Sequence, residues 1–460
     1  GRSLMPRLVA GRAALERRVV LPAGTALGEG EASVYARGLK WQLLQDSESF
    51  ITAPYERSPQ LGMSVRTRLA GGLELALDSE FNRFTLPDDQ ARTLDRPTGD
   101  RWHALGSLAW PQRGEGWFVV PRLAVNAAAY KDTRRLASGI ADARRAIPTF
   151  SIDTGLELER STVFFGRELR QTLEPRLLYV NTPYKPQSQL PNYDSAGKDF
   201  NIVSLFTDNA FSGVDRVSDA HQLTAGFTTR LVDAASGAEA LRLGLVQRVL
   251  LRPQRVAPQA DGSPDGPTLE QRFSDALLVG STSVLPGWTL DAAVQYSPDI
   301  RRSVRSIVGA RYSPGPYRTV GATYRLARGL SEQLEVGWQW PVWGAVPGSG
   351  QPAGRGAGNG CKGAWYSVGR FNYSLKDSRL TDSILGFEYD AGCWIARVVA
   401  EQLSTGRSAA TTRILVQLEL VGLSRLGSNP LKVLRDNIPG YRLLRDDRAG
   451  SRADEIGPTP

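Results

Sequence analysis

The sequence predicts an all-β fold, an antiparallel transmembrane β-barrel, on three observations. Apolar residues recur at every second position in segment after segment, as in strands whose two faces meet different surroundings. These segments are often about eight to ten residues long, close to the nine to eleven that a tilted membrane strand needs and longer than typical globular strands. The connections alternate between short turns and long loops, which is typical of bacterial outer-membrane barrels.

Composition permits such a barrel without requiring it. The 460-residue chain is 41% hydrophobic, and its mean hydropathy is −0.27. Apolar runs of about eighteen residues are absent, so no transmembrane helix is predicted. A search for long apolar runs does not detect a β-barrel, because lipid-facing residues alternate with lumen-facing ones and the average hydropathy stays low. A soluble all-β binding protein with aromatic core residues is the alternative that the pattern leaves open.

The chain is basic, with a net charge of +9 and a pI of about 9.6. The positive charges are nearly all Arg and lie at alternate positions along the segments rather than in an arm or tail. We therefore predict no nucleic-acid partner. A GC-rich coding bias accounts for the Arg excess equally well. Two cysteines, Cys361 and Cys393, are too few for a disulfide scaffold.

The sequence divides into three parts. Residues 1–34 carry no readable period, and no assignment is made for them. Residues 35–425 hold the alternating segments, among them 61–69, 73–82, 288–296 and 414–420, with a tight hairpin predicted at Gly71 and Gly72. Trp and Tyr near segment ends, such as Trp102, Trp110 and Trp117, suit the aromatic girdles of a membrane barrel.

Residues 426–460 form the third part, predicted as a short helix and a disordered tail. Asn429 in the cap position and Pro430 at the first helical position predict the start of the helix, and Pro439 and Gly440 predict its end. The polar segment 446–460 is predicted to be disordered.

A polar insert separates the segments 173–180 and 222–231. It is rich in Pro, Asn, Asp and Gly, which are turn residues. It also carries the aromatic residues Tyr184, Tyr193, Phe200, Phe206 and Phe211. An insert of about forty residues between strands is unusual and more often functional than idle.

This region carries a family resemblance. Thr-Leu-Glu-Pro-Arg at 172–176, Pro-Asn-Tyr-Asp-Ser at 191–195 and Gly-Val-Asp-Arg at 213–216 resemble the lipopolysaccharide-assembly outer-membrane protein family, LptD. Tyr-Asp-Ala-Gly-Cys-Trp at 389–394 and Leu-Val-Gly-Leu-Ser at 420–424 extend the resemblance, which covers roughly residues 35–440. The candidate site residues are those of the insert motifs: Pro191, Asn192, Tyr193, Asp194, Ser195, Gly213, Asp215 and Arg216.

The resemblance implies a barrel translocon, without a cofactor, that inserts lipopolysaccharide into the outer leaflet of the cell's outer membrane. It implies four partners: lipopolysaccharide, outer-membrane lipid, the lipoprotein plug LptE inside the barrel, and the periplasmic bridge protein LptA. LptA would act through an N-terminal jellyroll domain that is not apparent here, nor are the family's first strands. We therefore predict that this chain alone does not close into a working barrel, since its last strand lacks a seam partner.

The resemblance also implies a role for Cys393, as a disulfide partner of the N-terminal periplasmic domain. The family often has two adjacent cysteines in this motif, whereas Gly392 stands here. Cys361 matches no motif, and a Cys361–Cys393 pairing stays open. Arg66 and Arg68 are predicted to face the lumen, where they contact anionic sugars or phosphates or else pair with acidic residues across the lumen.

No enzyme and no metal site are predicted. His103 and His221 are the only histidines, and neither has ligands or a nucleophile at suitable spacing. The paired acids Asp153 and Glu157 resemble many others on these segments, so a solvated lumen explains them. The competing functions are a general porin-type passive channel and an outer-membrane phospholipase, which would need a Ser/His pair.

Overall fold

A computed structural model describes residues 8–22, 28–43, 52–87, 96–132, 142–164, 166–259, 266–344, 363–404, 410–421 and 423–444. These residues form one antiparallel sheet of 22 strands, which confirms the predicted fold class. The strands are β1 Leu8–Leu21, β2 Glu29–Leu43, β3 Glu56–Arg68, β4 Glu74–Thr85, β5 Gly99–Ala109, β6 Gln112–Gly114, β7 Trp117–Asp132, β8 Asp142–Leu156, β9 Leu158–Phe164, β10 Arg167–Thr182, β11 Ala220–Asp233, β12 Glu239–Leu250, β13 Phe273–Thr282, β14 Trp288–Ser297, β15 Arg302–Gly315, β16 Arg318–Ala327, β17 Ser331–Gly344, β18 Ala364–Ser374, β19 Arg379–Asp390, β20 Trp394–Ser404, β21 Ala410–Leu420 and β22 Ser424–Gly427.

Successive strands pair along the chain, with two interruptions. β6 continues β5 along β7, and β9 continues β8 along β10. In the described ranges, two α-helices accompany the sheet, α1 at Ile202–Leu205 and α2 at Pro430–Asn437. Neither of these described helices has the length and apolarity to cross a membrane. Within the described ranges no ladder joins β1 to β21 or β22, and the prediction about closure stays a prediction.

The two faces of the sheet differ as the alternation predicts. On β4, Asn82 and Phe84 are buried against the inner face while Arg83 between them is exposed. On β7, Leu123 and Val125 lie exposed on the outer face, next to the inner residues Arg122 and Ala124. An apolar outer face and a polar inner face are what a barrel in lipid requires.

From β3 to β13 the connections sort by length between the two ends of the sheet. Long loops follow β4, β10 and β12, whereas tight turns such as Glu115–Gly116 and Pro316–Tyr317 lie at the opposite end. The predicted hairpin at Gly71 and Gly72 is confirmed, with positive φ at both glycines and Leu69 N–H donating to Leu73 O at 2.7 Å. From β14 onward this order is lost: the tight turns 298–301, 328–330 and 375–378 lie at the long-loop end, and the long connection between β17 and β18 lies at the short-turn end. Long loops mark the extracellular end of such barrels.

The strands reach further toward the N-terminus than the sequence pattern indicates. β1 and the first part of β2 lie within residues 1–34, for which no assignment was possible. Arg12, Arg17 and Arg18 place the same residue type on both faces of β1, which hides the period of two. The predicted C-terminal helix is confirmed, although the Asn429 side chain forms no capping hydrogen bond. Residues 446–460 lie outside the described residues.

Candidate functional site

The insert between β10 and β11, residues 183–219, folds back onto the inner face of the sheet; we call it the lumen insert. Hydrogen bonds between residues of the insert itself hold its turns. Asn192 and Ser195 form two hydrogen bonds, Ser195 N to Asn192 Oδ1 and Asn192 Nδ2 to Ser195 O, each 2.9 Å long. Ser212 N donates to Ala196 O at 2.8 Å, which ties the two arms of the insert together. The insert is thus a folded unit.

A buried carboxylate fixes one end of the insert to the wall. Asp215 is 0% exposed and accepts from Arg101 Nη1 at 2.8 Å and from Tyr130 Oη at 2.9 Å. The backbone N–H groups of Tyr193 and Asp194 donate to its other oxygen at 2.7 and 3.1 Å. Arg101, itself 1% exposed, also binds Asp194 at 2.8 Å. A buried charge is tolerated only when it is paired and hydrogen-bonded in this way.

The pKa values of the two acids of this junction are shifted in opposite directions. Burial tends to raise the pKa of Asp194, but the Arg101 guanidinium and the N–H of Val214 lower the pKa to about 2. Burial raises the pKa of Asp215, against the opposing charge of Arg101. The junction therefore favours the charged form of Asp194, which pairs with Arg101.

Aromatic packing surrounds the same junction. The Tyr193 ring stacks on Phe84 of β4, with centroids 4.2 Å apart and planes 7° from parallel. Tyr55 meets Tyr193 edge-on at 5.2 Å. The guanidinium carbon of Arg101 lies 4.8 Å from the Phe84 ring centroid. This cluster excludes water from the ion pairs and so strengthens them.

Two further motif residues shape the turn that presents Asp215. Gly213 has φ +67°, and a Cβ there would lie 2.3 Å from Asp194 O, so only glycine fits. Arg216 N donates to Ser195 Oγ at 2.9 Å, and its guanidinium donates to Pro191 O at 3.1 Å and to Leu190 O at 3.0 Å. The structure thus brings all eight candidate motif residues into one junction.

The other end of the insert is anchored on β11 to β13. Leu205, at the end of α1, packs on Val246 and Leu277. Its carbonyl oxygen accepts from Arg248 Nη2 at 2.8 Å and from Thr224 Oγ1 at 3.2 Å. The insert is therefore held at two places on the inner wall, one on β4 to β8 and one on β11 to β13.

Arg66 and Arg68 lie away from this junction, on the inner face of β3. Arg66 Nη2 lies 2.6 Å from Asp78 Oδ2, and Arg68 Nη2 lies 3.2 Å from Glu74 Oε1. Both arginines therefore pair with acids on the adjacent strand β4. Their side chains remain largely exposed to the lumen, so contact with an anionic ligand stays a prediction.

Cys393 lies in the tight turn between β19 and β20, at the short-turn end, and is exposed. The turn is ordered by Gly392 N, which donates to Asp390 Oδ1 at 2.8 Å, and by Val421 N, which donates to Cys393 O at 3.0 Å. Gly392 has φ +97°, so the second cysteine that often stands there would be strained in this turn. Cys361 lies outside the described residues.

A second segment of the chain also covers the inner face. Residues 428–444, which we call the C-terminal segment, pack against β17 to β21. Leu434 is 0% exposed among Val368, Ile384 and Val399. Tyr441 Oη donates to Glu388 Oε1 at 2.8 Å. Sequence reasoning predicted the helix but not where it docks.

Buried charges lie beneath this segment, as they do beneath the insert. Arg397 Nε binds Glu388 at 2.8 Å and Arg397 Nη1 binds Glu419 at 2.6 Å. Arg101, Arg248 and Arg397 were all missed from sequence, because Arg is frequent on inner positions of most strands. The available signal was only their inward position within the period of two.

The histidines have no common site. His103 is buried on the inner face of β5, while the His221 ring meets Tyr179 edge-on at 5.9 Å. Across the part of the chain that the structure describes, no group of three or more His, Cys, Asp or Glu residues is placed to hold a metal.

A single antiparallel sheet of this size, apolar outside and polar inside, with inserts anchored on its inner face, defines an outer-membrane β-barrel protein. The family model for LptD, described as LPS transport system D, matches residues 23–346. The chain belongs to the LptD family. The matched range includes the whole lumen insert.

Curated relatives agree. The chain is 46% identical over 434 residues to the LPS-assembly protein LptD of Albidiferax ferrireducens, covering 94% of this chain and 53% of the relative. It is 43% identical over 445 residues to that of Polaromonas sp., covering 95% of this chain and 53% of the relative. The chain thus spans about half the length of the curated relatives it matches.

Solved structures give a weaker likeness. The siderophore receptor PirA from Acinetobacter baumannii aligns with a TM-score of 0.34 and 9% identity, covering 89% of this chain and 71% of that one. The ferric enterobactin receptor PfeA aligns with a TM-score of 0.31 and 11% identity, covering 89% of this chain and 73% of that one. The fold assignment rests on the strand pairing itself.

Proposed function

We propose that this chain forms part of a barrel translocon that assembles lipopolysaccharide into the outer leaflet of the outer membrane. Membership of the LptD family over residues 23–346 is the observation that carries the proposal. The geometry is compatible with it: the inner face offers charged and hydrogen-bonding groups to a sugar–phosphate chain, while the outer face is apolar toward acyl chains.

The proposed partners follow from the same family. They are lipopolysaccharide, outer-membrane lipid, the plug lipoprotein LptE and the bridge protein LptA, which would act through an N-terminal domain. Arg66 and Arg68 are proposed to contact the anionic sugars, because both remain exposed to the lumen despite their acidic partners. A general porin is less well supported, since the lumen insert is fixed across the inner face by buried ion pairs.

Depletion of the protein in its native host tests the function. We expect newly made lipopolysaccharide to stop reaching the cell surface, since its polar part would lack a route across the membrane. Surface labelling of lipopolysaccharide measures this, and re-expression of the native-length protein is the control. If lipopolysaccharide reaches the surface normally while uptake of small solutes falls, the chain is a porin and the proposal is wrong.

We further propose that Cys393 is disulfide-bonded to a cysteine outside these 460 residues, in an N-terminal periplasmic domain, and not to Cys361. Its exposed position in a tight turn at the short-turn end makes it accessible from the periplasmic side. On gels without reductant, we expect Cys393→Ser to abolish a mobility shift that Cys361→Ser leaves intact. Mass spectrometry that finds an alkylatable thiol at Cys393 in the mature protein would contradict this assignment.

A further inference from the structure

Four residues on adjacent strands form a basic and aromatic patch on the outer face of the sheet. They are Arg83 of β4, Trp102 of β5, Lys131 of β7 and Arg144 of β8. The register sets Arg83 opposite Asp100, Asp100 opposite Lys131, and both Trp102 and Arg144 opposite Ala129. We call these four residues the outer basic patch.

The neighbours of these residues establish that they point outward. Phe84 faces inward onto Tyr193, Tyr130 faces inward onto Asp215, and Arg145 faces inward onto the carbonyl of Val214. Because side chains alternate along a strand, Arg83, Lys131 and Arg144 must lie on the opposite face. All three are exposed.

The height of the patch follows from two tryptophans on one lane of the sheet. Trp102 and Trp110 both lie on the outer face and are 50% and 48% exposed. Eight residues of strand separate them, which is about 26 Å along the strand at 3.3 Å per residue and about 20 Å along the membrane normal at the usual 35–45° tilt. That is close to the apolar band of about 25 Å flanked by aromatic girdles in outer-membrane barrels. The patch therefore lies at the girdle of the long-loop end, level with the headgroups of the outer leaflet.

The three cations of the outer basic patch differ in whether they form an ion pair. Arg83 pairs with Asp100 at 2.8 Å. Within the described ranges, neither Lys131 nor Arg144 forms an ion pair, although Lys131 lies directly opposite Asp100 on one side and Asp142 on the other. Two cations next to an exposed Trp, at headgroup level, remain available to an anion.

We propose that the outer basic patch binds the phosphate groups of an outer-leaflet glycolipid, with Lys131 and Arg144 as the phosphate ligands. Charge-assisted hydrogen bonds from Lys and Arg are the usual way in which proteins hold phosphate. The Trp102 ring packs at the boundary between headgroup and acyl chain, where Trp is favoured. This site lies outside the barrel and does not depend on the proposed transport function.

The test uses the native-length protein in nanodiscs of phosphatidylcholine that contain bisphosphorylated lipid A. We expect the double variant Lys131→Gln/Arg144→Gln to retain lipid A about five- to tenfold less tightly at physiological salt, since each cation near a membrane surface contributes measurably to binding of an anionic lipid. Native mass spectrometry of the lipid that stays bound measures this. The matched control is Arg17→Gln/Arg160→Gln, which removes two exposed cations at the opposite end of the strands.

The outcomes are distinct. Equal retention by wild type and the Lys131/Arg144 variant overturns the proposal, and so does an equal loss in the control variant. Dephosphorylated lipid A must bind both proteins alike; a loss there would mean that the sugars or acyl chains are recognised instead. Competition by free inorganic phosphate at physiological concentration would mean a soluble anion site and would also overturn it. No transport is needed, so failure of the transport proposal leaves this result unaffected.

Discussion

Replacing Arg101 with Met is expected to detach the lumen insert from the barrel wall. The substitution keeps an unbranched apolar side chain but removes the guanidinium, so the buried Asp215 and the largely buried Asp194 lose their cation. Removing one partner of a buried ion pair typically costs about 3–5 kcal/mol. Since the junction supplies most polar contacts of that end of the insert, we expect a protease added outside the cell to cut Arg101→Met within residues 183–219.

The control is Arg83→Met on the adjacent strand. Arg83 pairs with Asp100 at the same 2.8 Å distance, but its side chain is 55% exposed. Exposed ion pairs contribute only about 0–1 kcal/mol. This variant should resist the protease as the wild type does. If the Arg101→Met insert is equally resistant, the buried ion pairs do not hold it in place.

Leu434→Ala is expected to release the C-terminal segment. Leu434 is fully buried among the aliphatic side chains of β18 to β20. Truncating such a leucine costs about 2–5 kcal/mol through lost burial and the cavity left behind. The segment is short, and Leu431, Ile438 and Leu444 supply its other buried apolar contacts with the wall. We expect its protease cleavage after Arg435 or Arg442 to become faster than in the wild type.

Leu426→Ala is the matched control, because Leu426 is 58% exposed in β22 and the same atoms are removed. Cleavage should then be unchanged. Cleavage of Leu434→Ala as slow as that of the wild type would show that the other buried side chains and the hydrogen bonds of Tyr441 and Arg442 suffice to hold the segment.

The strands were predictable because one physical rule governs them. A sheet between lipid and a polar lumen imposes a period of two on every segment, and the segments 61–69 and 73–82 fall into β3 and β4. β1 was not predicted, because arginines occur on both of its faces and hide the period of two.

The site was predictable only in part. The motif residues from Pro191 to Arg216 stand out as a family pattern, and the structure joins them in one junction. No sequence signal distinguishes their partners on the wall, Arg101 and Tyr130, because an inward Arg or Tyr is common on such strands. The docking of the C-terminal segment depends on contacts with strands far away in the chain, which no local pattern encodes.

The two anchored segments differ from the sheet in the distance along the chain that their contacts span. Arg101 and Asp215 are 114 residues apart, and Gln339 and Arg442 are 103 apart. Hairpin pairing is local and closes small loops, whereas these contacts can form only once several intervening strands are in register. The insert must therefore dock after β5 to β8 are assembled, and the C-terminal segment after β17 to β20. Their protection from proteases marks the completion of two separate halves of the wall.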